Sequence, residues 1–314
     1  MTVFAKKHRI SLGFGVWLAW MLAERPGPRS TDWGIGLLHL AALVAVPLAT
    51  GLLLRTSPFS MSSILKKLQS LQLPSAIVLL FSFFLKKGWL AAVLALPWAG
   101  VLLAMALAGA LQLWRSRWSN APLFCMAAGL AYLSVAAVWL LLERAGLAPL
   151  GFNPDIVFLT IVHFHYAGFV LPLLAGLSAN KQGKRIVGQI ICYFSVAAVG
   201  LLALGITITQ LGLGTDWEMA SAWWMAATAG AVAMLHIRLA FLENTSLKVK
   251  LLWLAAAASL LGAMLLAGLY GSRFIAPVAW LDIPTMRALH GSLNAVGFAL
   301  CALLGWSVKL QERL

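Results

Sequence analysis

The stretch DIVFLTIVHFHYAGFVLPLLAG, Asp155 to Gly176, decides how this chain is read. A helix needs roughly 20 apolar residues to cross the hydrocarbon core of a bilayer, and this run supplies them. Into it the sequence sets His163, His165 and Tyr166. Ionisable groups at membrane depth are costly and normally face a cavity, a partner or a pathway. A second stretch near the C-terminus, RALHGSLNAVGFALCALLGW from Arg287 to Trp306, carries His290 and Asn294 in the same manner.

Working outward, 62% of the 314 residues are hydrophobic and 10% charged, too little polar surface to cover a water-soluble globule. Apolar runs near 10–23, 34–54, 72–86, 89–113, 121–142, 155–178, 187–213, 218–242, 251–270 and 285–308 predict an all-α, polytopic bundle of about ten transmembrane helices. The first and third runs are short. The basic start at Lys6, Lys7 and Arg9 resembles a signal peptide, but Glu24-Arg25-Pro26-Gly27-Pro28 offers no small-residue cleavage pattern, so the run is read as a retained first helix. No soluble domain or Ser/Gly-rich linker interrupts residues 1–314, which read as a single integral membrane domain.

The formal charge of +14 would suggest nucleic acid in a soluble protein. Here the charges lie in short loops, where they report topology and contact with anionic headgroups instead. Placing both termini in the cytoplasm puts fifteen Lys and Arg inside against seven outside, with Arg238 within a helix. The acids run the other way, since only Glu243 and Glu312 of the nine fall inside. The partners expected on these grounds are the lipid bilayer and a lipophilic small molecule, with no nucleic acid. Cys125, Cys192 and Cys301 are isolated in apolar runs and read as packing residues.

Matching Gly168-Phe169 to Gly297-Phe298 sets His165 against Asn294 and His163 against Ser292, a weak internal similarity between helices 155–178 and 285–308. Repeats of this kind place membrane sites at their interface. At 1.5 Å per residue His163 and His165 lie roughly 12–15 Å below Asp155, and Asn294 about 15 Å below Pro284, near the midplane. His163 and His165 are about 200° apart around one axis, so only one of them can point at a shared site. His163 shares a face with Thr160, Tyr166 and, more loosely, Asp155, while Arg287, His290 and Asn294 stack at spacings of three and four. Asp155 and Asp282 also suit helix N-termini, His39 and His236 suit packing, and Glu143 with Arg144 suits an interfacial helix end. Gly168, Gly176, Gly291 and Gly297 suit close helix approach. Pro172 suggests a kink that frees a carbonyl and widens a cavity just below the histidines.

The strings LTIVHFHYAGFVLPLLAG and HGSLNAVGFALCALLGW resemble the YndJ-like family of bacterial polytopic membrane proteins. That resemblance implies a multi-pass protein of the bacterial cytoplasmic (inner) membrane, and members are often labelled transporter-like. His290-Gly-Ser-Leu-Asn294-Ala-Val-Gly297-Phe298 is also similar, more faintly, to haem-bearing subunits of the oxidase and nitric oxide reductase type. The adjacent His-His pair of their copper site is absent.

Three functions compete. One is a cofactor-free intramembrane enzyme, an isomerase or cyclase for a lipophilic substrate. In it His163 or His165, with His290 and Asn294, does the acid–base work, Tyr166 and Asn294 orient the substrate, and Asp155 or Asp282 holds a histidine. Another is a proton-coupled transporter, which the inner half opposes by offering only His236 and Arg238 as buried polar groups. The last is a protein with one haem or copper held by His163 or His165 and His290. An enzyme would show a blind pocket ending near His165.

Overall fold

The computed structural model describes residues 3–56, 62–116, 120–182 and 185–312, with side chains of the first helix from Arg9 onward. The sequence-based placements of Lys6, Lys7, His8, Arg117, Lys184 and Arg313 fall outside the described residues or side chains. Among the described residues ten helices follow one another: α1 (Val3–Glu24), α2 (Thr31–Thr56), α3 (Ser62–Phe83), α4 (Trp89–Ser116), α5 (Ala121–Ala145), α6 (Pro154–Lys181), α7 (Ile186–Gln210), α8 (Asp216–Leu242), α9 (Leu247–Gly271) and α10 (Ile283–Gln311). Nine of them, α2 to α10, are long and apolar enough to cross a membrane. The all-α polytopic bundle expected from the apolar runs is the fold observed.

Most helices outlast their apolar runs, because polar residues continue the helix at one or both ends. The third run, read as 72–86, becomes a helix that starts ten residues earlier at Ser62, takes Lys66 and Lys67 into its first turns, and stops before Lys86. Local chemistry sets the boundaries. Ser30, Asn120, Asn153, Ser246 and Asp282 cap α2, α5, α6, α9 and α10 by accepting a backbone N–H from the first turn. Gly146 ends α5 at φ 80°, the left-handed conformation that costs glycine nothing.

Side-chain pairs sort the helix ends into two sets. At one end Arg29 meets Asp282, Arg287 meets Asp155, and Arg273 meets Glu218. At the other, the basic end, Lys181 and Lys309 share Glu243. The helices around these pairs therefore alternate in direction, with α4–α5 and α8–α9 forming closely packed antiparallel hairpins.

The bundle centre is α2 and α6, whose apolar windows are 83% and 72% buried against 33% for α7. Both contain a π-helical turn, Ala41–Ala45 in α2 and Phe164–Val170 in α6, and α10 contains a third at Leu293–Leu300. These three wide turns touch one another. The first two have a local cause, since Pro47 and Pro172 each sit two residues beyond the turn. A proline donates no N–H and crowds the carbonyl four residues back, and a widened turn relieves both. Pro172 thus follows a π turn, and what it adjoins is close packing instead of a widened cavity. The turns in α6 and α10 begin four residues before Gly168 and Gly297 respectively, so the two similar stretches share this geometry.

Close approach is evident at Gly176, where an added Cβ would lie 2.7 Å from the Pro122 carbonyl and 2.7 Å from Met126 Cγ of α5. At Gly168, by contrast, the atoms nearest an added Cβ belong to Phe164 of its own helix. Gly176→Leu is expected to separate α6 from α5 and to cost about 1–3 kcal/mol or more by overpacking. Denaturant unfolding in mixed micelles measures this, and a neutral result would show that the contact yields freely.

Candidate functional site

Helical phase carries His163 and His165 in opposite directions. The His165 ring is fully buried. Its Nδ1 meets the Ile161 carbonyl at 2.8 Å, its Nε2 accepts from Trp98 Nε1 at 3.2 Å, and the indole of α4 stacks on it at 6.1 Å and 7°. Both nitrogens are thereby engaged in a neutral ring that donates from Nδ1. No pocket ending at His165 is compatible with this packing.

His163 points toward α10 and its side chain is exposed. Its ring centroid lies 6.0 Å from that of His290, with 25° between the planes. Nδ1 bonds the Leu159 carbonyl at 3.0 Å. With that proton donated, Nε2 carries the lone pair, and among the described residues nothing bonds it. His290 is half-buried and held from two sides: Nδ1 donates to the Ala263 carbonyl of α9 at 2.9 Å, and Nε2 accepts from Asn294 Nδ2 at 3.1 Å. The same amide donates to the His290 carbonyl at 2.9 Å, which leaves Asn294 Oδ1 without a bond among the described residues. His163 Nε2 and Asn294 Oδ1, on α6 and α10, are therefore two unfilled acceptors on either side of His290. A hydroxyl, an acidic C–H or a proton matches that pattern.

The other sequence-selected residues surround this core. Thr160 is half-buried beside His163 and bonds its own helix at the Ile156 carbonyl. Tyr166 is buried and donates to the Leu37 carbonyl of α2 at 2.8 Å, which makes it a tie between the two central helices. Asp282 caps α10 through the Thr285 N–H and pairs with Arg29 at 2.7 Å. The Thr285 hydrogen bonds, aided by Arg29, hold its carboxyl below the ordinary value. Asp155 pairs with Arg287 of α10 at 3.2 Å, so neither carboxylate touches a histidine. The Asp155–Arg287 pair bridges α6 and α10 about two turns above His163. Among the described residues no three His, Cys, Asp or Glu side chains gather as a metal set.

Sequence reasoning missed two features. Glu143 and Arg144, expected at an interfacial helix end, do lie in the last turn of α5, but nothing in the sequence indicated that they are 4% exposed and part of a network that links α3 to α5. The basic half is also richer than His236 and Arg238 alone. Gln72, 1% exposed, donates to Thr50 Oγ1 at 2.9 Å, and Thr50 is wholly buried, whereas Arg238 faces outward. Neither residue stands out in sequence, because a single Gln or Thr in an apolar run is common. His39 lies fully buried between Trp20 and Phe83, edge to face with each, as a packing histidine would.

The defining pattern of the YndJ-like protein family matches residues 36–298, which takes in α6 and most of α10. Over 217 residues the chain is 30% identical to a Bacillus subtilis (strain 168) protein named "Uncharacterized membrane protein YndJ". That similarity covers 68% of this chain and 38% of the relative, so the matched stretch spans well under half the length of the relative. No solved structure matches the chain.

Proposed function

This chain belongs to the YndJ-like family, and on that premise we propose that it is an enzyme of the bacterial cytoplasmic membrane which moves a proton on a lipophilic molecule held between α6 and α10. In this reading the basic end is cytoplasmic, both termini lie inside, and the cleft belongs to the outer half of the bilayer. The observation that carries the proposal is the exposed imidazole of His163, roughly 13 Å into its helix. A polar ring uncovered at that depth has no water to meet, so a partner that arrives sideways through the lipid must satisfy it.

The chemistry assigned to the cleft is proton transfer without redox change. His163 Nε2 removes a proton from a C–H or O–H of the substrate, and the imidazolium returns it at another atom, which gives isomerisation or ring closure. His290, fixed through Ala263, holds the Asn294 amide so that its oxygen accepts from a substrate hydroxyl. Ligation of haem or copper by His290 would require Asn294 to release Nε2, so the cofactor-free reading needs the fewest changes. The buried Thr50–Gln72 pair favours a second reading, a proton-coupled transporter, because it adds polar groups to the opposite half.

The test compares lipid extracts and medium from host cells that lack the gene and carry either the wild type or His163→Ala. An enzyme is expected to yield an isomer of shifted retention time, and His163→Ala to lower that conversion at least about 100-fold. An unaltered molecule that merely changes side would favour transport. Full conversion by His163→Ala would end the assignment of His163 as the base.

A further inference from the structure

The molecule held in the cleft, we infer, is an anionic amphiphile whose carboxylate or phosphate head is taken by Arg287. This rests on the reading of the α6–α10 cleft as a site entered from lipid. Arg287 is 5% exposed. Its Nη1 donates to the Arg29 carbonyl at 3.2 Å, while Nε and Nη2 are buried and make no hydrogen bond. A buried guanidinium ordinarily hydrogen-bonds its donors, so Nε with no partner and Nη2 with an ion-pair contact alone call for an explanation. Nε and Nη2 form the side of the guanidinium that grips two oxygens of one oxyanion. Asp155 Oδ1 stands 3.2 Å from Nη2, which balances charge without forming a hydrogen bond. Its side chain is 42% exposed, so it can leave when a better-shaped anion arrives.

Position makes the head part of an amphiphile. Arg287 lies four residues beyond Ile283, about 6 Å into α10 and therefore at headgroup depth. His290 and Asn294 follow on the same helix at the next two turns, toward the midplane. The flanks below are apolar: Leu159 and Leu293 are half-buried and Leu289 is exposed. An anion at Arg287 with a chain running down this face would place the atoms beneath its head beside His163. Gly34 of α2 makes room for the arginine stem, since a Cβ there would lie 3.3 Å from Arg287 Cδ and 2.7 Å from Phe158 Cε1. Arg29 is a weaker seat, because its side chain is 65% exposed and water screens its charge.

The test measures the unfolding temperature of the full chain in a non-ionic maltoside against increasing dodecyl phosphate, dodecanol or inorganic phosphate. Wild type is expected to bind dodecyl phosphate about tenfold or more tightly than dodecanol, the scale of a charge-assisted pair, and to ignore inorganic phosphate. Arg287→Lys, which keeps the charge and loses the fork, should erase most of that preference. Asp155→Asn should strengthen dodecyl phosphate binding several-fold by removing the competing carboxylate, a gain that misfolding cannot mimic. Equal binding of dodecyl phosphate and dodecanol would overturn the anionic head and leave the lipid-entered cleft standing. An equal response to inorganic phosphate would overturn the amphiphile in favour of a free anion, and no response to either chain would overturn the cleft itself. Unchanged or weaker binding in Asp155→Asn would also count against Arg287 as the receptor.

Discussion

Arg144→Met is expected to lower the unfolding free energy by about 3–5 kcal/mol, the penalty for breaking a buried charge network from one side. The guanidinium is 4% exposed and holds four acceptors: Ser82 Oγ at 3.1 Å, the Ser82 carbonyl at 3.0 Å, the Leu85 carbonyl at 2.8 Å and Glu143 Oε2 at 3.3 Å. It also lies over the Phe83 ring, 4.4 Å from the centroid. Removing it strands two carbonyls and leaves the buried Glu143 carboxylate with Lys87 alone, 2.8 Å away and half-exposed. Lys87→Ala should cost under about 1 kcal/mol, because water screens that side of the pair. The double change Glu143→Gln with Arg144→Met should recover part of the loss, since the uncompensated charge is then gone. Denaturant unfolding in mixed micelles, followed by tryptophan fluorescence, reads all three. An Arg144→Met protein as stable as the wild type would mean that the network contributes nothing to the α3–α5 junction.

The second large effect separates the two histidines of one helix. His165→Ala is expected to cost about 2–4 kcal/mol, because it opens a cavity against Trp98 and strands the indole N–H inside the bundle. His163→Ala should stay within about 0.5 kcal/mol, since its ring is exposed and only its own helix bonds Nδ1. Activity should divide the opposite way, with His163→Ala folded and inactive. If both variants proved equally destabilised, His163 would be a packing residue like His165, and the proposed proton acceptor would have to be sought elsewhere.

The contrast between these residues shows why the site was only half legible. Periodicity and depth singled out His163, His165, His290 and Asn294, because a polar residue in an apolar run is conspicuous whatever its neighbours do. Phase arithmetic added that the first two diverge, but it carries no information on which neighbour each meets. Trp98, a tryptophan among 14, gave no sign that it would occupy His165. Asp282 was legible as a cap from its place before Ile283-Pro284, whereas Asp155 pairs with a residue more than a hundred positions away. The network at Arg144 was invisible because it depends on backbone carbonyls of another helix, at Ser82 and Leu85.

What the sequence by itself determined is the solvent, the ten helices, the opposite charge bias of the two ends and the position of the polar residues along their helices. Each follows from composition and from a rise of about 1.5 Å per residue, quantities that are local to one segment. Only the tertiary structure decided that His163 and not His165 meets His290, that α2 shares the centre with α6, and that Arg287 leaves Nε unbonded beside its ion pair with Asp155. Those outcomes depend on which arc of each helix its neighbours cover. Three π turns and the close approaches at glycine set those arcs jointly, so no single segment contains the answer.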